Sequence, residues 1–199
     1  MKDKVLSLLR VDSNEVLQWT IGGSLIGTLL YIALNSVVLP KFLLGGMLTI
    51  QIDLPIIIIT SIAAFCGPLA GFTVGFFGSL SSDLLFSGQI IAFGGINIVF
   101  GLIGLVVGIP TYSRFTDGKN LAKFILLSLL AFMIAIILYL IVLIGIAAQS
   151  FEGTLLYNFL PFFSTSFISL ILVAPSIVWI ADHLIHYGKN LWKSRLEGS

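Results

Sequence analysis

Residues 17–39 carry no charged side chain, and that one stretch excludes most folds open to a chain of 199 residues. Crossing about 30 Å of hydrocarbon as a helix takes roughly 20 apolar residues. The stretch is too long for a signal-peptide core, and no small-residue cleavage site with a hydrophilic chain follows it. Further apolar runs cover 54–86, 90–112, 121–148 and 157–185. Composition agrees, with 58% hydrophobic and 10% charged residues and a mean hydropathy of +1.12, where a soluble domain carries about 25% charged. Disorder is excluded by the same figures, and a disulfide scaffold by Cys66 being the only cysteine. A net charge of +1 gives no basic footprint for nucleic acid. The chain reads as an all-α polytopic membrane protein in contact with the lipid bilayer, since long apolar runs favour helices over a β-barrel.

The number of crossings turns on 54–86, which Cys66-Gly67-Pro68 interrupts. If that run makes two spans, six helices place Lys2, Lys4, Arg10, Arg114, Lys119, Lys123, Lys189, Lys193 and Arg195 inside and only Lys41 outside. If it makes one, only the first three stay inside and the other seven basic residues face out. Basic residues prefer cytoplasmic loops, so the first arrangement is expected. Pro68 supports it, because proline is tolerated in the first turn of a new helix and not in mid-helix. The expectation is one six-helix membrane domain over 1–188 with both termini cytoplasmic. Its spans lie near 17–39, 50–65, 68–86, 90–112, 121–148 and 157–185, and a basic cytoplasmic tail covers 189–199. The second span is the awkward one: 54–65 is short, so the helix must start early, stay short, or take Asp53 into its first turn.

Uncommon polar residues then collect on the outer side: Asn35, Gln51, Asp53, Asp83, Gln89, Gln149, Glu152 and Asn158, with Asn97 two turns into the fourth helix. Ionisable groups at or inside a bilayer are functional candidates, since burying them unpaired costs several kcal/mol. Asp83 reads as a binding group or structural latch, or as a helix-end charge at headgroup level. Asp53 reads as a ligand group, a lid anchor, or an N-cap. Asn97 can bind substrate or bond between helices. The first external loop, 40–51, is apolar with a Gly45-Gly46 break and suits a lid over the bundle. At the other side, Asp182, His183 and His186 offer a weak metal pattern without a third ligand, or simply a polar helix end.

Small residues form three stripes, one of them Gly94, Gly101, Gly104 and Gly108 on the fourth helix. Gly23 and Gly27 mark the first helix; Gly67, Gly71, Gly75 and Ser79 mark the third, where an internal seam is the simplest reading. The first stripe could equally dock another membrane subunit. No phosphate-binding loop, nucleophile elbow or HExxH is present, so the chain is expected not to be an enzyme, not to hydrolyse ATP and to carry no cofactor.

Residues 50–85 resemble the second and third helices of the substrate-binding S component of energy-coupling-factor (ECF) transporters. The resemblance rests on Gly67-Pro68, Gly71, Gly75 and the closing Asp83-Leu84-Leu85, with Leu160-Pro161 and Ala174-Pro175 in the last span. It implies a vitamin or similar micronutrient bound near the outer face, under the first loop. It also implies partnership with a transmembrane coupling subunit and two cytoplasmic ATPases in a prokaryotic plasma membrane. The family's coupling motif, AxxxA in the first helix, falls on Gly23 and Gly27, which keep the small size but not the alanines. Candidate substrate residues are Asn35, Gln51, Asp53, Asp83, Gln89, Asn97, Asn158 and Phe162. Lys41 being the only outer basic residue, and Phe162 lying among aromatics, the ligand is expected to be a neutral or cationic heteroaromatic small molecule. The competing expectation is a small helical membrane scaffold or accessory subunit with no small-molecule ligand.

Overall fold

A computed structural model gives the structure, describing residues 13–37, 42–44, 48–50, 52–87, 94–141 and 160–197, with side chains at 13–37, 52–86, 97–141 and 163–188. Helix α1 is Asn14–Asn35, α2 Leu54–Cys66, α3 Pro68–Ser87, α4 Gly94–Gly108 and α5 Gly118–Ile141. Helix α6, Leu160–Ile168, continues through a π turn at Ser169–Val173 into α7, Ala174–Glu197. Strands β1 (Phe42–Leu44) and β2 (Leu48–Ile50) form a short antiparallel hairpin with Leu43 opposite Thr49. The fold is therefore helical, and four helical segments are long and apolar enough to cross a membrane: Asn14–Asn35, Pro68–Phe86, Gly118–Ile141 and Phe163–Gly188. Leu54–Cys66 and Asn97–Gly108 are shorter apolar helices.

The chain breaks where the sequence placed the break. Gly67 has φ 97° and ψ 178°, a conformation that an L side chain resists, and Pro68 opens α3 in the position where its missing N–H costs nothing. A methyl on Gly71 would meet the Ala63 Cβ at 2.5 Å, so residues four before and four after the break touch. The chain thus folds straight back on itself.

Glycines then set the packing. Along α3 and α4 the close pairs are Pro68 with Gly108, Gly71 with Gly104, and Gly75 with Phe100 and Gly101, which makes the two helices antiparallel. Along α1 and α3 they are Gly27 with Val74, Tyr31 with Gly78, and Asn35 with Ser82, a constant offset that makes these helices parallel. Without a side chain at these points the backbones approach to contact distance, which is what holds helices together where lipid is as apolar as leucine. The enclosed core is built from Ile56, Ile59, Val74, Ile103, Phe124 and Phe132, all at 0% exposure.

Four differences from the sequence reading have physical causes. Helix α2 starts at Leu54, not near residue 50, because β2 occupies 48–50 and the Asp53 side chain caps the helix by accepting from the Ile56 N–H. The first helix spans Asn14–Asn35, with Ser13 accepting from the Val16 N–H as its cap, rather than 17–39. Residues 189–197 are helical, a continuation of α7 beyond the apolar segment that ends at Gly188. Finally, the last span is interrupted at Ser169–Val173: Pro175 has no N–H and its ring would strike the carbonyl of Ile171. The widened turn, with the Ala174 N–H reaching back to the Ser169 carbonyl, removes that collision.

Candidate functional site

At one end of the bundle, side chains from five elements meet. Asn35 at the C-terminal end of α1 donates from Nδ2 to the Oγ of Ser82 on α3. Asp53, at the start of α2, uses Oδ1 for the Ile56 N–H at 3.2 Å and Oδ2 for the Ser166 hydroxyl at 2.6 Å. Its own N–H donates to Ser169 Oγ at 2.7 Å, and Ser169 donates on to the Thr165 carbonyl at 2.8 Å. This ring of bonds clips α2 to α6 and its π turn. A carboxylate in an apolar bundle needs such partners, since desolvation without them costs several kcal/mol.

Tyr31, buried at 4% exposure, lies within electrostatic reach of both Asp53 and Asp83. Its ring occupies the space beside Gly78, where a Cβ would come within 2.8 Å of the Tyr31 Cγ. Asp83 is half-buried near the end of α3 and faces Asn97 on α4. Asn97 is 1% exposed, and its Nδ2 makes no hydrogen bond of ordinary geometry. Beside this cluster is a hollow of about 140 Å³, walled by Asn35, Asp53 and Thr165 and by the apolar Leu34, Val37 and Ile52.

Of the expected substrate residues, the structure thus brings Asn35, Asp53, Asp83 and Asn97 to one end of the molecule. Gln51, Gln89 and Asn158 lie outside the described residues, and Phe162 is described by its backbone on α6 alone. Tyr31, Ser82, Ser166 and Ser169 join the cluster without having been singled out in the sequence. The last two stand three residues apart, which puts both hydroxyls on one face, but Ser164 and Thr165 beside them leave that face unmarked in the sequence.

The expected docking residues need correction. Gly23 and Gly27 are buried inside the chain: a Cβ on Gly23 would lie 2.8 Å from the Cys66 Cβ, and one on Gly27 would lie 2.5 Å from Val74 Cγ2 and 3.0 Å from Ile62 Cγ1. Helices α2 and α3 already occupy that face, so no second subunit can dock on it. The outward face of α1 carries Trp19, Leu25 and Leu29 at 74, 63 and 68% exposure.

A larger cleft of about 620 Å³ lies between α5 and the π turn and α7, lined by Ile125, Leu172, Pro175, Trp179 and Ile180. Ser176, the one polar residue in its lining, donates its hydroxyl to the Leu172 carbonyl at 2.7 Å. The cleft is otherwise apolar apart from the indole of Trp179, so it offers few groups to orient a polar ligand.

At the opposite end, Asp182 is 5% exposed and accepts from the backbone N–H groups of Phe115 at 2.8 Å and Thr116 at 3.3 Å. His186, one turn on, lies 3.3 Å from the same carboxylate. The pattern 182–186 is thus used to hold a loop, and among the described residues no group of three potential metal ligands forms. No family model, curated protein or solved structure matches this chain.

Proposed function

We propose that the chain is the substrate-binding S component of an ECF-type importer. It crosses a prokaryotic plasma membrane six times with both termini cytoplasmic. It captures a vitamin-like small molecule, neutral or cationic and heteroaromatic, at the outer face, and delivers it inward with a coupling subunit and two ATPases. The observation that carries this reading is a hollow lined by Asn35 and Asp53, with Ser82 bonded to Asn35 and the pair Asp83 and Asn97 at the same end of an apolar bundle. The described basic residues Arg114, Lys119 and Lys123 gather at the other end, which the positive-inside rule assigns to the cytoplasm. Partner contact then falls on the outward face of α1. That helix is the least enclosed of the four long ones, with 17% of its apolar window buried against 33–39% in the others.

A scaffold without a small-molecule ligand is the second reading, and a specific feature favours it. The hollow is smaller than the roughly 300–1,000 Å³ of ordinary ligand pockets, and Asp53 already has its partners within the chain. Mass spectrometry of small molecules retained by the purified protein separates the two. Capture predicts a retained vitamin and a thermal shift on adding it, since ligand at a hundred times Kd stabilises by about 2.7 kcal/mol. Saturating candidate vitamins that produce no shift, with nothing retained, would sink the capture reading.

A further inference from the structure

The cleft between α5 and α7 is used neither by substrate capture nor by the contact on α1. At about 620 Å³ it falls within the roughly 300–1,000 Å³ of ordinary ligand pockets. Leu121 and Ile125 form one wall, and Leu172, Pro175, Trp179 and Ile180 the other. Leu172 and Ile180 are 62 and 50% exposed, so the cleft opens on the outside of the bundle. Ser176 turns its hydroxyl back onto the Leu172 carbonyl, which leaves a lining suited to a flexible hydrocarbon chain. In a bilayer an apolar lining alone selects nothing, because other lipids solvate such a chain as well as leucine does. Selectivity has to come from what stands beyond the cleft.

One face of α7 leads out of the cleft to a cation. Ser176, Trp179, His183 and His186 recur at spacings of three, four and three residues, so they share that face. Trp179 and His183 stack with ring centroids 5.8 Å apart, and Arg114 Nε donates to His186 Nε2 at 3.2 Å. At 1.5 Å per residue, His186 and its arginine lie about 10 Å beyond Trp179 along the helix. Trp179 is 44% exposed, and tryptophan collects at the level of lipid headgroups.

Arg114 is fixed by its own segment. Its carbonyl accepts from Asn120 Nδ2 at 2.9 Å, and Asp182 takes the N–H groups of the two residues that follow. Phe115 beside it is 2% exposed, packed on Tyr112, Phe65 and Phe124. With Nε turned to His186, the two terminal amino groups of Arg114 bond to nothing among the described residues. A guanidinium offering two N–H groups side by side matches a phosphate. Lys119, exposed two residues before Leu121, adds positive charge from the α5 side. The acidic groups here do not cancel it: Asp182 is 5% exposed and turned onto amides, and Asp117 accepts from the Lys119 backbone.

We propose that this face binds an anionic phospholipid, with one acyl chain in the cleft between α5 and α7 and the phosphate on Arg114. The site requires the chain to lie in a bilayer and does not depend on substrate capture.

The test uses the full chain in non-ionic detergent micelles with phosphatidylglycerol carrying a diazirine on one acyl chain, and phosphatidylcholine with the same chains beside it. Illumination should attach the phosphatidylglycerol chain to peptides covering 121–125 and 171–180. Phosphatidylcholine should label them at least about fivefold less, since one basic group at the surface favours an anionic lipid by about a factor of five. Arg114→Gln, at an exposed position, should lower the phosphatidylglycerol label about fivefold. Ser176→Trp and Ile180→Trp each fill the cleft from an exposed position and should abolish the label at unchanged Tm. Unlabelled phosphatidylglycerol should compete, and inorganic phosphate at the same concentration should not. Equal labelling by the two lipids, a preference that survives Arg114→Gln, or labelling that survives both tryptophan variants would each overturn the site. Competition by inorganic phosphate would make it an anion site without a lipid chain. Loss of a co-purifying coupling subunit in the tryptophan variants, with lipid labelling unchanged, would make the cleft a protein interface instead.

Discussion

Asp53 is where an anchor and a ligand group predict opposite outcomes for the same pair of substitutions. Asp53→Asn keeps the shape and keeps a good N-cap, since asparagine and aspartate cap about equally well. Its Oδ1 can still accept from the Ile56 N–H, and the Ser166 hydroxyl can turn to accept from the new Nδ2 instead of donating. Asp53→Ala removes the cap, worth about 1 kcal/mol, and the bond from Ser166 to a charged acceptor, worth about 1.5–3 kcal/mol. Part of that loss is offset because a partly buried carboxylate no longer has to be desolvated, leaving a net cost of about 2–3 kcal/mol. At about 2–4 °C per kcal/mol for a chain of this size, alanine should lower Tm by about 4–12 °C while asparagine lowers it by about 4 °C or less. The assay is thermal unfolding in detergent, run beside a binding measurement with whichever small molecule the protein retains. The anchor reading predicts that Asp53→Asn still binds. Loss of binding in Asp53→Asn at unchanged Tm would show that the charge itself serves a ligand. Equal destabilisation by both variants, or none by alanine, would refute the hydrogen-bond accounting.

The glycine seam gives a second contrast: Gly104→Ala puts a Cβ 2.8 Å from the Gly71 Cα and should cost about 1–3 kcal/mol, whereas Gly22→Ala meets nothing within 4 Å and should leave Tm unchanged or slightly higher. Gly27→Leu should lower the Tm of the isolated chain in detergent, because Val74 and Ile62 fill the space; a variant that unfolds normally yet fails to associate with a partner would restore that face as a docking surface. On the outward face, Leu25→Ser should leave the fold intact, as its side chain is 63% exposed, and reduce co-purification with a coupling subunit if α1 is the contact. Unchanged co-purification would move the contact off this helix.

What could be read from the sequence was whatever is written in neighbouring residues. Gly67-Pro68 announces a helix break because one residue tolerates a positive φ and the next lacks an N–H. The apolar runs announce helices because hydrocarbon leaves the backbone no other donors and acceptors. The gathering of Asn35, Asp53, Asp83 and Asn97 at one end followed from counting crossings. What could not be read was which surface fills which gap. Gly23 and Gly27 are small whether a partner or the chain itself covers them, and only the close approach of Cys66, Ile62 and Val74 decides it. Asp182 is equally opaque, since the amides it holds belong to Phe115 and Thr116, 67 and 66 residues away, and backbone N–H groups leave no mark in a sequence. The π turn sits between: Ala174-Pro175 shows that the helix must adjust, but not that widening rather than kinking relieves the clash.

The two ends of the bundle bear on how a captured molecule could move. One end has a polar hollow; the other is closed by Phe115 and its aromatic neighbours. Between them Ile57, Ile59, Val74, Ile103 and Phe132 are at most 1% exposed and form an apolar interior. The hydroxyls in that interior, Thr60, Ser61 and Ser128, do not bond to one another: Thr60 donates to its own helix at the Ile56 carbonyl, and Ser61 and Ser128 have no partner. A polar solute crossing this region would find only the scattered hydroxyls of Ser61 and Ser128 to replace its water, and each further polar group would cost several kcal/mol to desolvate. The described part of the chain therefore holds no continuous polar path for such a solute from one end to the other. If the chain does take up a ligand, the energy and movement that carry it inward have to come from a partner acting on the whole bundle, which is the division of labour proposed for it here.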